Sequence, residues 1–203
     1  MKIFNIVGKS GSGKSYMVDL VKDYFKDIHV IESFTTREPR FEGETGHVFI
    51  DSPEIEFIYQ DAYYSFNSGD IPYFLKSEYI VASQELYKHL YFVTRDCFNP
   101  DLPNLYVVDE EGAKQVVEYF ENDKNVEVVN ILLDVEDMIL KQRLFNREIN
   151  SSVDSSVAYK NTRERFERDI ELEFDIGFYD YIISNNLNDD LDIIELWDEI
   201  LYG

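Results

Sequence analysis

The chain begins with an apolar run, a glycine-rich stretch and then apolar residues at helical spacing. Lys2–Val7 (KIFNIV) is typical of a short buried strand and ends at Gly8. Over residues 14–26 the apolar positions recur at intervals of three and four, which predicts an amphipathic helix. Strand, turn and helix in this order indicate the start of a parallel α/β sheet.

The spacing of apolar residues changes in the next part of the chain, residues 33–89. Alternating apolar and polar residues predict short strands there, at 47–50, 62–66 and 71–75. Helical spacing near 53–59 and 77–87 predicts two helices between and after them. We therefore expect a small, mainly β insertion on the main sheet.

The alternation of strand and helix returns after the insertion. Apolar runs predict three more core strands, at 90–94, 105–108 and 127–133. The later elements are expected to be helices at about 111–122 and 135–149, a strand at Tyr181–Ser184 and an acidic helix at 187–201. The polar segment 150–156 separates two arginine-bearing helices and is either a mobile tip or a plain surface loop.

Charge narrows the choice of partners. Among 203 residues, 41 are acidic and 19 basic, giving a net charge of -22. Such a surface repels nucleic-acid backbone and anionic membranes, so we expect neither as a partner. Seven of the eight arginines nevertheless fall within 37–40 and 143–168. Because arginine is the favoured clamp for phosphate, these windows are candidate phosphate sites, with ordinary surface arginines as the alternative.

Cysteine content and hydropathy indicate the cellular compartment in which we expect the protein. Cys97 is the single cysteine, which excludes an intramolecular disulfide and fits a reducing cytoplasm. No apolar run approaches the ~20 residues of a membrane span, and the amino terminus lacks the pattern of a signal peptide. We expect a cytoplasmic protein that is a monomer or a homodimer.

The strongest motif is Gly8-Lys9-Ser10-Gly11-Ser12-Gly13-Lys14-Ser15, which matches G-x-x-x-x-G-K-[ST] at every fixed position. Glycines let the backbone N–H groups close around phosphates, and the following helix adds its positive N-terminal dipole. Lys14 is expected to reach the β- and γ-phosphate oxygens, and the Ser15 hydroxyl to bind Mg²⁺. This P-loop predicts ATP contacts from Gly8, Ser10, Gly11, Ser12, Gly13, Lys14 and Ser15; the alternative is a coincidental glycine-rich turn.

A second motif follows at Ser33-Phe34-Thr35-Thr36-Arg37-Glu38-Pro39-Arg40, with Gly43-Glu44 after it. It resembles the monophosphate-binding segment of guanylate kinases, in which a serine precedes T-T-R-x-P-R and G-E follows. The resemblance runs in order along most of the chain. It implies that Arg37 and Arg40 hold the acceptor phosphate, with Ser33 near the base edge and Glu44 in the same site.

The resemblance also implies the fold and its parts. The expected fold is the three-layer P-loop NTPase sandwich with a parallel core sheet, a small β-rich NMP-binding insertion and a helical lid. In this single guanylate-kinase-like domain, the core is 1–32, 90–134 and 175–203, the insertion 33–89 and the lid about 135–174.

Three positions test how far the resemblance extends into the insertion. His47 stands where the family has a tyrosine; it can donate to phosphate or be an exposed strand histidine. Tyr73 matches a tyrosine that reaches the phosphate, with a packed strand aromatic as the alternative. Ser65 replaces the acid that reads guanine, and a serine cannot accept from N1–H and the 2-amino group together. Guanine specificity therefore stays open, although Glu44, Asn67 or Asp70 can compensate.

Further residues resemble the family's magnesium, lid and base contacts. Asp109 ends an apolar strand and matches an aspartate that holds Mg²⁺ through water or binds the acceptor nucleoside; a helix N-cap is its competing role. Arg143 and Arg147 resemble the lid pattern R-L-x-x-R, and their spacing puts both on one helical face. The resemblance implies that Arg143 contacts ATP and that Arg147, with Arg165 and Asp109, contacts the monophosphate. Arg165 best matches the returning lid arginine, and Asn185 the asparagine near the ATP base, or else a turn residue. Arg163 and Arg168 are expected to pair with neighbouring glutamates.

Together these motifs imply an ATP-dependent nucleoside monophosphate kinase that uses Mg²⁺ and phosphorylates GMP or dGMP. The residues expected to act in catalysis are Lys14, Arg37, Arg143 and Arg147. Two alternatives stay open. One is a kinase for a different (deoxy)nucleoside monophosphate or a sugar phosphate. The other is a non-catalytic guanylate-kinase-like interaction module, which the intact P-loop disfavours.

Overall fold

Strands and helices alternate along the part of the chain that the computed structural model describes: residues 1–39, 42–51, 54–58, 61–68, 71–86, 88–151, 155–185 and 190–203. The strands are β1 (Lys2–Val7), β2 (His29–Val30), β3 (Ser33–Thr35), β4 (His47–Phe49), β5 (Glu54–Ile58), β6 (Asp61–Ser68), β7 (Ile71–Lys76), β8 (Ile80–Leu86), β9 (His89–Thr94), β10 (Asn104–Val107), β11 (Glu127–Asp134) and β12 (Tyr181–Ser184). The α-helices are α1 (Lys14–Tyr24), α2 (Glu110–Phe120), α3 (Asp137–Ser151), α4 (Ser155–Ile170) and α5 (Asp190–Tyr202). Single 3₁₀ turns lie at Ser77–Tyr79, Arg95–Cys97 and Ile176–Phe178.

A five-stranded parallel sheet has the order β12-β11-β1-β10-β2. Asn104 of β10 is in register with His29 of β2, and Ile131 of β11 with Tyr181 of β12. The predicted α/β class with a parallel core sheet is therefore confirmed. By its contacts the chain divides into a first unit (1–3, 28–106 and 111–128) and a second unit (4–27, 107–110 and 129–203).

The second unit contains the glycine-rich loop and its supporting core. The helix α1 buries Met17, Val18 and Val21, which is the face that the apolar spacing predicted. Trp197 of α5 is fully buried and meets the ring of Phe4 edge-on, with 5.5 Å between ring centroids. This packing anchors β1, and so the strand that leads into the loop, by burial of large aromatic surface.

The first unit contains two smaller sheets. A four-stranded sheet has the order β4-β3-β9-β8, and a three-stranded antiparallel sheet the order β5-β6-β7. Phe34 stacks on Phe92 with 5.0 Å between ring centroids, and Ile50 packs in the same apolar cluster. A hydrogen bond of 3.0 Å from the Asp51 N–H to the Asn67 carbonyl joins the segment after β4 to β6.

Several predicted elements need correction. The segments expected to be helical near 53–59 and 77–87 contain the strand β5 and, after one 3₁₀ turn, the strand β8. Apolar spacing in such short segments suits either structure, and antiparallel pairing of β5 with β6 and of β8 with β9 decides for strands. The strand at 90–94 exists as β9, but it pairs with β3 and β8 and does not belong to the parallel sheet.

The later helices agree with the prediction. The helices α2, α3 and α5 occupy the segments predicted at about 111–122, 135–149 and 187–201. Within the predicted polar segment 150–156, α3 continues through Ser151 and α4 begins at Ser155; residues 152–154 lie outside the described residues. None of the helices described is both long and apolar enough to cross a membrane.

Candidate active site

The glycine-rich loop between β1 and α1 needs its glycines for two reasons. Gly11 and Gly13 have φ angles of 83° and 94°, which side chains disfavour. A Cβ atom on Gly13 would also lie 2.5 Å from Nδ2 of Asn185. The loop is closed by a 3.1 Å hydrogen bond from the Ser12 N–H to the Lys9 carbonyl. Its backbone therefore adopts a shape that only glycine permits at Gly13.

Lys14 lies at the centre of this loop. Its ammonium donates to the carbonyls of Gly8 at 2.6 Å and Lys9 at 3.0 Å. Burial lowers the pKa of Lys14 to about 8; the charges of Asp169 and Asp109 act to raise it, and that of Arg147 to lower it. The structure thus brings Lys14, Arg147 and Asp109, three predicted site residues, within electrostatic reach of one another.

Ser15 and Asp109, the predicted magnesium ligands, each offer an oxygen donor. Ser15 is exposed in the first turn of α1, and Asp109 is partly buried immediately before α2. Within the described residues, no group of three or more His, Cys, Asp and Glu side chains is arranged to hold a metal. Mg²⁺ commonly takes one or two protein ligands and completes its shell with water and phosphate oxygens. Ser15 and Asp109 therefore suit Mg²⁺ bound together with a nucleotide.

Asn185 and Arg143, both predicted to bind ATP, contact the loop at Ser12. The Asn185 side-chain amide donates to the Ser12 carbonyl at 2.7 Å, and Arg143 donates to the Asn185 carbonyl at 2.8 Å. A longer contact of 3.5 Å joins Arg143 to the Ser12 carbonyl directly. Burial lowers the pKa of Arg143. The helix α3 and the end of β12 are therefore fastened to the loop at Ser12.

Arg147 and Arg165 converge on a carboxylate that the sequence had not singled out. Glu148 is buried on α3, with 8% of its side chain exposed, and lies 3.3 Å from Arg165 and 3.9 Å from Arg147. Asn161 of α4 adds a 3.3 Å hydrogen bond to the same carboxylate. Glu148 therefore joins α3 to α4 and holds two predicted phosphate-binding arginines. Its one signal in the sequence is an acid directly beside Arg147.

The last turn of α4 contains a second residue that was missed. Arg163 pairs with Glu167 at 2.6 Å, as predicted. Arg168 pairs with Asp169 at 2.6 Å, and its expected glutamate partner stays a prediction. The other Asp169 oxygen accepts from the Ser10 N–H in the loop at 2.8 Å. Burial acts to raise the pKa of Asp169, but the hydrogen bonds from Arg168 and Ser10 outweigh it, and the pKa is lowered.

Most of the predicted acceptor-site residues lie in the first unit, whereas Asp109, Arg147 and Arg165 lie in the second. Arg37 forms a two-pronged ion pair with Glu44, with N–O distances of 2.9 and 3.1 Å, and donates to the Glu38 carbonyl at 2.7 Å. The Arg37 side chain is 12% exposed and its guanidinium lies over the ring of Phe49. Burial acts to lower the pKa of Arg37, but Glu44 raises it above its ordinary value. The guanidinium therefore has a fixed orientation.

Ser33 and His47 face each other across the parallel pair β3 and β4. The two residues are in register, and the Ser33 hydroxyl lies 2.9 Å from Nδ1 of His47. The His47 ring also packs edge-on against Tyr91, with 5.7 Å between centroids. His47 is thus a partly buried member of the same small sheet.

The remaining acceptor candidates are less completely described. Ser65 is partly buried on β6, in register with Glu54 and Phe74. The backbone of Tyr73 lies on β7 opposite Phe66. Arg40 and Asp70 lie outside the described residues.

No protein-family model and no curated protein sequence matches the chain. The solved structures that are similar to it include a guanylate kinase from Anaplasma phagocytophilum, with 16% identity and a TM-score of 0.49, and a fungal RNA kinase, with 11% identity and a TM-score of 0.46. Each alignment covers 98% of this chain and 84% of the other. At these values the likeness carries no conclusion about activity.

Proposed function

We propose that the chain is an ATP-dependent nucleoside monophosphate kinase, similar to guanylate kinases, that transfers the γ-phosphate of ATP to GMP or dGMP. The observation that carries the proposal is the loop at 8–15. It matches the P-loop motif, follows a buried strand, opens a helix and holds the Lys14 ammonium on its own backbone, within electrostatic reach of Arg147 and Asp109.

The donor site follows from the chemistry of this loop. Loop N–H groups and the N-terminus of α1 offer positive charge to the phosphates of ATP. Lys14, with a pKa of about 8, is mainly protonated at neutral pH and exchanges its two carbonyl partners for phosphate oxygens. Arg143, Arg147 and Arg165 add charge from α3 and α4. Mg²⁺, held by Ser15 and Asp109, supplies further charge neutralisation when bound.

The acceptor site is proposed around the Arg37–Glu44 pair. Arg37, Arg40 and Tyr73 fix the acceptor phosphate, with Ser33 and His47 nearby. That phosphate is already ionised near neutral pH, so its oxygen attacks in line without a general base. Catalysis is then positioning plus neutralisation of charge on the moving phosphoryl group. Exclusion of water matters because water is a competing acceptor.

The acceptor base is the least constrained part of the proposal. Ser65 supplies one hydroxyl where a carboxylate would read guanine. This substitution favours testing a panel of acceptors, because a kinase for another (deoxy)nucleoside monophosphate or a sugar phosphate would have the same donor site.

A coupled assay for ADP release tests the proposal, with MgATP and GMP, dGMP, AMP, CMP, dTMP or ribose 5-phosphate. We expect turnover with at least one nucleoside monophosphate, and its loss in Lys14→Ala. Lys22→Ala, which changes an exposed lysine on the same helix, is the matched control and should keep wild-type turnover. Wild-type turnover in Lys14→Ala, or no ADP release with any acceptor, would overturn the proposal.

A second variant separates the acceptor site from the donor site. Arg37→Ala should raise the acceptor KM by about tenfold or more, with the KM for ATP little changed, because a paired arginine contact to phosphate is worth at least ~1.4 kcal/mol. Unchanged acceptor KM and kcat would contradict the assignment of Arg37.

A further inference from the structure

An anion from the protein itself binds the phosphate-binding loop. The Asp169 carboxylate, on a residue only 6% exposed, accepts the Ser10 N–H at 2.8 Å. Its second oxygen is held by Arg168 at 2.6 Å, and Arg168 also lies 3.4 Å from the Ser10 hydroxyl. The last turn of α4 is therefore attached to the loop through one carboxylate and one guanidinium.

This carboxylate has the chemistry of a phosphate oxygen. It is anionic, it accepts from a backbone N–H of the loop, and its charge acts on the Lys14 ammonium. Inward-pointing N–H groups and a lysine are the features with which such loops bind phosphate. Asp169 thus makes the kind of contact that a nucleotide phosphate would make.

A triphosphate that enters the loop meets this negative charge. Two anions close together in a partly buried site repel each other by more than in water, since the effective dielectric constant is lower. The carboxylate has a second partner, because its other oxygen is held by Arg168, whose own contact with the Ser10 hydroxyl is longer, at 3.4 Å. When the Asp169 carboxylate leaves the Ser10 N–H, its buried charge therefore still has a partner.

We propose that Asp169 is a positioning residue that competes with the triphosphate of ATP for the P-loop. In the free protein, its carboxylate stabilises the loop and offsets the charge of Lys14. When ATP binds, the triphosphate takes over the loop, and Asp169 stays paired with Arg168. The inference rests on the proposed role of the loop as the ATP site. Competition from Asp169 makes ATP affinity weaker than the loop alone would provide.

Calorimetric titration of the full chain with MgATP and, separately, with inorganic tripolyphosphate tests the proposal. Asp169→Asn keeps the size of the side chain and removes its charge. We expect it to tighten both Kd values by about tenfold (~1.4 kcal/mol), because the charge that competes with the phosphates is removed while the amide oxygen can keep part of the contact with the Ser10 N–H. Glu171→Gln removes the same charge from an exposed neighbour and should change neither Kd by more than about twofold.

The KM for ATP separates competition by Asp169 from a purely structural role of this residue. In the ADP-release assay, Asp169→Asn should lower the KM for ATP without raising kcat, whereas a loop that has merely lost support would bind ATP more weakly. Equal or weaker binding of both probes by a variant with the wild-type unfolding midpoint would overturn the proposal.

Two further measurements cover the other outcomes. If Asp169→Asn does not fold, Asp169→Ser replaces it in the titrations. In the wild-type chain, the ¹³C signal of the Asp169 carboxyl group should shift on saturation with tripolyphosphate. An unchanged signal overturns the proposal. If neither wild type nor variant binds MgATP, the proposed function fails and the inference with it. If wild type binds and the variant binds no more tightly, only the inference fails.

Discussion

The Lys14 ammonium is buried at a cost, and Lys14→Met measures that cost. The pKa is lowered from 10.5 to about 8 by burial, so between these values the unfolded chain binds more protons than the folded one. Stability must then rise with pH across this window, and the full penalty applies below about pH 8. Methionine keeps the bulk of the side chain and removes the charge at every pH.

The size of the effect follows from the shift. At about 1.4 kcal/mol for each pKa unit, the charge costs roughly 3 kcal/mol at pH 7 and about 1.4 kcal/mol at pH 9.5. The variant also loses the hydrogen bonds to the Gly8 and Lys9 carbonyls, each worth about 1 kcal/mol, which reduces its advantage at both pH values. The change with pH, about 2 kcal/mol, is therefore the diagnostic quantity.

Urea unfolding followed by circular dichroism, at pH 7 and pH 9.5, measures this change. We expect Lys14→Met to be more stable than wild type at pH 7, with the difference in unfolding free energy about 2 kcal/mol smaller at pH 9.5. Lys22→Met, which changes an exposed lysine of the same helix, should show no such pH dependence. A difference between Lys14→Met and wild type that is the same at both pH values would refute the reasoning.

Two other variants test the site's framework by urea unfolding. Glu148→Gln should lower the free energy of unfolding by about 1–2 kcal/mol, which is less than for a fully buried pair because both arginine partners are partly exposed. Glu164→Gln, which alters an exposed pair, should leave the unfolding midpoint unchanged. Equal midpoints for the two variants would contradict the role of Glu148. Gly13→Ala should lower the free energy of unfolding more than Gly43→Ala does, and it should also weaken MgATP binding. Both glycines have left-handed φ angles, but of the two only Gly13 would place its new Cβ against another group, Asn185, at 2.5 Å. Equal losses in the two alanine variants would show that backbone strain alone matters there.

The parts of the fold that were predicted well are those decided by neighbours in sequence. The strand Lys2–Val7, the turn and the start of α1 follow from periodicity and glycine chemistry within about two dozen residues. The expected helices near 53–59 and 77–87 failed because β5 and β8 depend on pairing with β6 and β9. Such pairing is not contained in the local spacing of apolar residues.

For this protein, the sequence by itself determined the parallel α/β class and the P-loop, and it indicated that the arginines cluster in two windows. Only the tertiary structure decided what surrounds them. Arg37 is held by Glu44, and Arg147 and Arg165 by Glu148. The contact from Asp169 to Ser10 joins residues 159 positions apart. The physical reason is that charges act through space, so a contact such as that from Asp169 to Ser10 is set by how the chain packs, which the local sequence does not contain.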